Sequence, residues 1–289
     1  MDEKEIRREL RKVRHRETEL LARNRFAKGF GLEGILSKYI PDSLEKTLHS
    51  AFREAFRLIF DKGTGVIVKT FNEDKVRASG GTEAEAQRQW MTDILMTSVE
   101  GAGLGLIGVG VPDIAVFTGM LLRSVYQTAA SYQFEYASKT EQVFILKLIE
   151  GALARGKEAE KLSAEVDELM HRIDTEDYHY YGNINKQIED AARALSEETL
   201  YLKFVQTIPI VGIAGGLSNP IYLNKVKNYA DVKYHKRRLL IRQREAAAAW
   251  NKRAQEKKQL QVSVYDPKED AETHKEGASV HTDTEKGLD

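Results

Sequence analysis

No cysteine occurs in the 289 residues. Disulfides, thiol nucleophiles and thiolate metal sites are therefore excluded. Proline is scarce, five in all, so little interrupts a helical periodicity. Net charge is absent too, because 44 Lys/Arg balance 44 Asp/Glu, and no global field draws the chain to nucleic acid. Uninterrupted apolar runs are short: twelve uncharged residues separate Glu100 from Asp113, and nine separate Asp113 from Arg123. A spanning helix needs about twenty predominantly apolar residues, so none is expected. The first residues, MDEKEIRRELRKVRHRE, hold no apolar run. The expectation is a cytoplasmic chain without a secretory signal.

Catalytic constellations are missing as well. The seven histidines (15, 49, 171, 179, 235, 274 and 281) form no H-E-x-x-H pair. His171 and Asp174 stand three apart, as do Asp174 and Asp177, but such pairs are common on helix surfaces. No metal, no cofactor and no catalytic residue is assigned.

What the chain does have is helical periodicity. Residues 3–28 read as a charged helix with a thin stripe of Ile6, Leu10, Val13, Leu20 and Leu21. A second helix opens at Pro41 and Asp42 and carries Leu44, Leu48, Phe52, Ala55, Phe56 and Ile59 on one face. TEAE, from Thr82, has capping-box spacing. Further helices are predicted over about 113–136 and from Lys139 to a stop at Gly156. Two more are predicted between Lys157 and about Ile208. Asn219 and Pro220 form a cap and first turn for a long helix running to about Leu260. The short run GVIVKTF reads as helix or irregular link. The fold class is all-α: a multi-helix bundle with two glycine-rich apolar hairpins and a long basic C-terminal helix.

Those hairpins are GAGLGLIGVGVP, residues 101–112, and TIPIVGIAGGLSNP, residues 207–220. Gly103 to Gly108 matches the dinucleotide fingerprint G-x-G-x-x-G, which works only between a strand and a helix N-terminus. The preceding WMTDILMTSVE is helix-like and Pro112 follows closely, so the phosphate reading fails on context. Small residues also permit close helix packing, and Gly101 and Gly105 have G-x-x-x-G spacing. A third use is an apolar tip that dips into a membrane leaflet.

Charge is unevenly placed. From Lys225 to Lys258 there are twelve Lys/Arg against three acids, while residues 261–289 carry eight acids against three lysines. A basic segment next to an apolar tip supplies two signals for an anionic membrane surface. The candidate lipid contacts are Leu104, Leu106, Ile107, Val109, Ile210, Val211 and Ile213, with Lys233, Lys236, Arg237 and Arg238 giving electrostatic attraction, helped by Lys225 and Lys227. No nucleic acid partner is expected, since no recognition motif accompanies the charge.

Two stretches carry a resemblance. GVPDIAVFTGMLLRSVYQTAASYQF includes Pro112, Asp113, Arg123 and Tyr132, and IPIVGIAGGLSNPIYLNKVKNYADVKYHKRR includes Pro209, Gly212, Gly216 and Asn219. Together they resemble the EcsC family of bacterial proteins, named for a gene beside an ABC-transporter ATPase and its membrane subunit. The likeness runs from about Tyr39 to Leu240. It implies a helical, cytoplasmic protein with membrane-linked work and no established reaction.

The resulting division is a charged helical arm (1–34), an EcsC-like helical domain (35–245), a helical extension (246–260) and a disordered acidic tail (261–289). The expected role is a non-enzymatic accessory of an anionic membrane surface or a membrane protein complex, at the inner face of the plasma membrane. Two alternatives stand beside it. One is a soluble enzyme with a polar pocket at Asp113, Arg123 and Asn219. The other is a scaffold that binds a partner through the long C-terminal helix.

Overall fold

The computed structural model describes residues 2–26, 42–60, 111–175, 184–207 and 219–264. Among them are seven helices and no strand: α1 (Glu3–Phe26), α2 (Asp42–Leu58), α3 (Val111–Ser131), α4 (Lys139–Leu153), α5 (Gly156–Thr175), α6 (Ile184–Thr207) and α7 (Asn219–Val264). The chain is all-α. The Thr82 helix, the GVIVKTF run and the acidic tail lie outside the described residues.

Local sequence explains most of the boundaries. The Asp2 side chain caps α1 by accepting the Glu5 N–H at 2.7 Å. The α1 stripe is realised in Ile6, Leu10 and Val13, all buried in a cluster with Val232 and Leu239 of α7. In α2, Leu48, Phe52, Ala55 and Phe56 are buried, as is Ile59 directly after it, whereas Leu44 is 42% exposed, so the apolar face begins one turn later than its sequence pattern suggests.

Two boundaries differ from expectation. α3 stops at Ser131 rather than near Tyr136 because Gln133 takes a left-handed conformation, φ 64°. Phe134 N–H then bonds Ala129 C=O at 3.0 Å and Gln133 N–H bonds Ala130 C=O at 2.9 Å, the paired hydrogen bonds that close a helix end. α4, capped by Ser138 accepting from Glu141 N–H at 3.2 Å, ends at Leu153. Ala154 is extended (φ −60°, ψ 153°), and Gly156, expected as the stop, is instead the first residue of α5 at φ 58°.

α7 is the axis of the bundle. Val226, Tyr229, Ala230, Val232, Lys233 and Tyr234 are all within 2% of full burial, so neighbours cover more than half of its circumference, while Asn224, Lys227 and Asn228 on the remaining face are exposed. α3 runs parallel to it: Phe117 meets Tyr222 edge-on at 5.9 Å, and Tyr132 donates to Asp231 at 2.8 Å. α4 runs antiparallel, with Leu153 C=O 3.5 Å from Lys225 Nζ and Glu141 2.7 Å from the Tyr234 hydroxyl. α5 and α1 complete the enclosure through side chains described below. α6 packs on α2 and α4 from outside.

One contact is especially close. A Cβ on Gly151 of α4 would stand 3.0 Å from the Tyr229 hydroxyl oxygen and 3.4 Å from its ring, so the α4–α7 crossing depends on a missing side chain.

Beyond the bundle α7 continues alone. Residues 245–259 are exposed on every side, and Trp250 is 74% exposed. At 1.5 Å per residue the 46-residue helix is about 69 Å long.

Candidate functional site

The basic run that opens α7 is folded inward. Lys233 is 0% exposed. Its ammonium donates to Glu17 of α1, to Asp167 of α5 at 2.7 Å, and to the hydroxyl and carbonyl oxygens of Ser163 at 2.8 and 3.0 Å. Lys236, one turn on, donates to the other oxygens of the same carboxylates, each at 2.7 Å. Two ammoniums and two carboxylates thus form a closed, electrically neutral ring joining α1, α5 and α7. Burial pushes the Glu17 carboxyl upward, but Lys233 and Lys236 outweigh it and hold the group below its ordinary range.

A second cluster sits further along. Arg237 Nη1 contacts both oxygens of Glu141 at 2.9 Å, and its Nε and Nη2 reach Asp174 at 2.9 and 2.8 Å. Its guanidinium lies 4.3 Å from the Phe134 ring centre and 4.9 Å from that of Phe144. Arg244 adds a contact to Asp174 at 3.4 Å. Burial raises the Glu141 carboxyl despite Arg237 and the Tyr234 hydroxyl. Burial opposes the Arg237 charge, yet Glu141 and Asp174 together raise that group further.

A third cluster occupies the opposite end of the bundle, near the start of α7. Glu198 of α6 pairs with Arg155 and with Lys225, the latter at 3.3 Å. Arg155 lies 3.3 Å over the Tyr201 ring, and the Tyr222 hydroxyl donates to the Glu198 carbonyl at 3.0 Å. Burial pulls the Lys225 ammonium down, against the attraction of Glu198.

The expectation that Lys233, Lys236 and Arg237 meet an anionic surface is therefore corrected: their charges are spent on Glu17, Asp167, Glu141 and Asp174. Lys225 is likewise paired inside. Arg238 is half-buried and donates to Gln133 of the loop after α3, while Lys227 is exposed. A basic run appears as a surface only if its acidic partners are ignored, and those partners lie tens to hundreds of positions away. One local signal was available: Glu141 sits at the head of the apolar run VFILKLI, where a carboxylate needs a buried partner.

The remaining candidates divide. Leu104, Leu106, Ile107, Val109, Pro209, Ile210, Val211, Gly212, Ile213 and Gly216 lie outside the described residues. Pro112 and Pro220 are each the second residue of their helix, where the missing N–H breaks no intrahelical bond. Asp113 follows in the first turn of α3, and Asn219 opens α7. Arg123 lies ten residues beyond Asp113 on the same helix, about 15 Å along its axis, further than the two side chains reach.

Among the described residues no helix is long and apolar enough to cross a membrane. Also among them, no group of three or more His, Asp or Glu side chains is arranged to hold a metal ion.

The EcsC protein family model matches residues 4–239. The chain is also 28% identical over 154 residues to an uncharacterized protein, YdbA, of Bacillus subtilis (strain 168), a match covering 51% of this chain and 54% of the relative. The chain thus spans about half the length of the curated relative it matches. No solved structure matches. The family match starts within α1, well before Tyr39, and so includes the helix that supplies the Glu17 partner of Lys233. It ends at Leu239, just before α7 leaves its neighbours. A match that takes in every helix of the ionic core shows that the chain belongs to the EcsC protein family.

Proposed function

We propose that the protein is a non-enzymatic accessory of a membrane surface or membrane complex, acting at the cytoplasmic face through its two apolar glycine-rich segments. The observation that carries this reading is the side-by-side start of α3 and α7. Phe117 lies six residues into one and Tyr222 three residues into the other, and their rings touch at 5.9 Å. Each helix is preceded in sequence by one of the uncharged segments, residues 101–110 and 208–218. The two helix starts that follow these segments in sequence lie at one end of the bundle, and the apolar composition of the segments supports contact with a non-aqueous phase.

Flotation of the full chain with neutral and anionic liposomes tests the proposal. Recovery in the floating fraction is expected, reduced at least tenfold in an Ile107→Asp/Ile210→Asp variant that retains its helical circular dichroism. No flotation of the parent chain on either lipid would remove the reading.

A further inference from the structure

We infer that one face of the free end of α7, centred on Trp250, docks onto an anionic lipid surface. This rests on the membrane reading above and gives it an electrostatic element that the buried lysines do not provide. At about 100° per residue, Ala246, Ala247, Ala254, Arg253, Lys257 and Lys258 fall within roughly 80° of Trp250. Glu245 and Glu256, the acids of this segment, lie roughly 120–140° away. The helix therefore presents one exposed indole among small residues, bordered by three cations, with its carboxylates turned aside.

The charge on this face selects its occupant. A second copy would bring three cations against three, which repels. A groove in another protein takes several large aliphatic or aromatic anchors along a helix, and among the described residues 245–259 this face has one large apolar side chain. An indole at headgroup depth with Lys and Arg reaching phosphates is the pattern of an interfacial helix. The same azimuth continues the stripe of Val232 and Leu239 that α1 covers inside the bundle. The stripe is exposed from Ala246 onward, beyond the residues that α1 touches. Trp250 lies about 46 Å along α7 from Asn219, so contact through both ends places the helix axis along the membrane surface.

The test uses the full chain with Trp90→Phe, which leaves Trp250 as the single tryptophan. Phosphatidylcholine vesicles with and without phosphatidylglycerol are titrated while its emission is recorded. A blue shift is expected on the anionic vesicles alone. An Arg253→Gln/Lys257→Gln/Lys258→Gln variant is expected to lower the partition coefficient about fivefold per charge, roughly a hundredfold in all. No shift on anionic vesicles overturns the inference. A shift with soluble polyglutamate and none with vesicles also overturns it, in favour of an acidic protein. Flotation with no Trp250 shift sinks this face alone. A Trp250 shift and flotation that both persist undiminished in Ile107→Asp/Ile210→Asp sink only the glycine-rich contact.

Discussion

Lys233 of α7 and Glu17 of α1 form an ion pair across 216 sequence positions inside a site where the lysine has no exposed surface. Breaking a buried pair on one side leaves a charge without water or partner, at a cost of about 3–5 kcal/mol. Lys233→Met is expected to lose stability in that range, because Glu17 and Asp167 then share Lys236 alone. Glu17→Gln is expected to lose less, since Asp167 and Ser163 still hold Lys233. Urea unfolding of both variants checks the order.

The same pair makes stability depend on pH. Glu17 is held below its ordinary value of 4.5 in the folded chain. Its ionisation therefore stabilises the fold above the unfolded value of about 4.3, and that contribution is lost as pH falls through the lower folded value. The stability gap between the parent and Glu17→Gln is expected to be constant from pH 6 to 8 and to narrow below about pH 4.3. Denaturation midpoints across that range measure it.

Arg237→Lys is expected to behave as a severe substitution, costing about 2–4 kcal/mol. A single ammonium cannot occupy Glu141 and Asp174 together in the geometry of a planar fork, nor lie flat against Phe134 and Phe144. Thermal unfolding gives the comparison. Arg244→Lys, whose contact is a single long one, serves as the mild control.

Gly151→Ala sets two effects against each other. Alanine improves helix propensity by about 1 kcal/mol, but its methyl group meets the buried Tyr229 ring and hydroxyl. Overpacking of this kind costs about 1–3 kcal/mol, so a net loss is expected. Adding Tyr229→Phe removes the nearest atom and is expected to restore part of the loss, which a double-mutant cycle in chemical denaturation reports.

The sequence showed its helices where a pattern is local. The α1 stripe of Ile6, Leu10 and Val13, the α2 face from Leu48 to Ile59 and the Asn219–Pro220 opening of α7 all follow from spacing within one turn or two. Gly156 was expected to stop α4 because a left-handed glycine is common just past a helix end, but an extended Ala154 ends that helix and the glycine opens α5. Gln133 went unseen because the conformation it adopts is usually given to glycine. The ionic core was hidden for a different reason. Whether Lys233 faces water or Glu17 depends on which helices surround α7, and tertiary packing decides that. Even so, Glu141 beside an apolar run was a local sign of buried charge.

The long axial helix is clamped at the level of Lys233 by salt links on two sides, yet it is one unbroken rod from Asn219 to Val264. Lys225 on Glu198 and Arg237 on Glu141 and Asp174 hold the same rod on either side of that level, so a force on the free end is met by anchors at three heights rather than by a pivot.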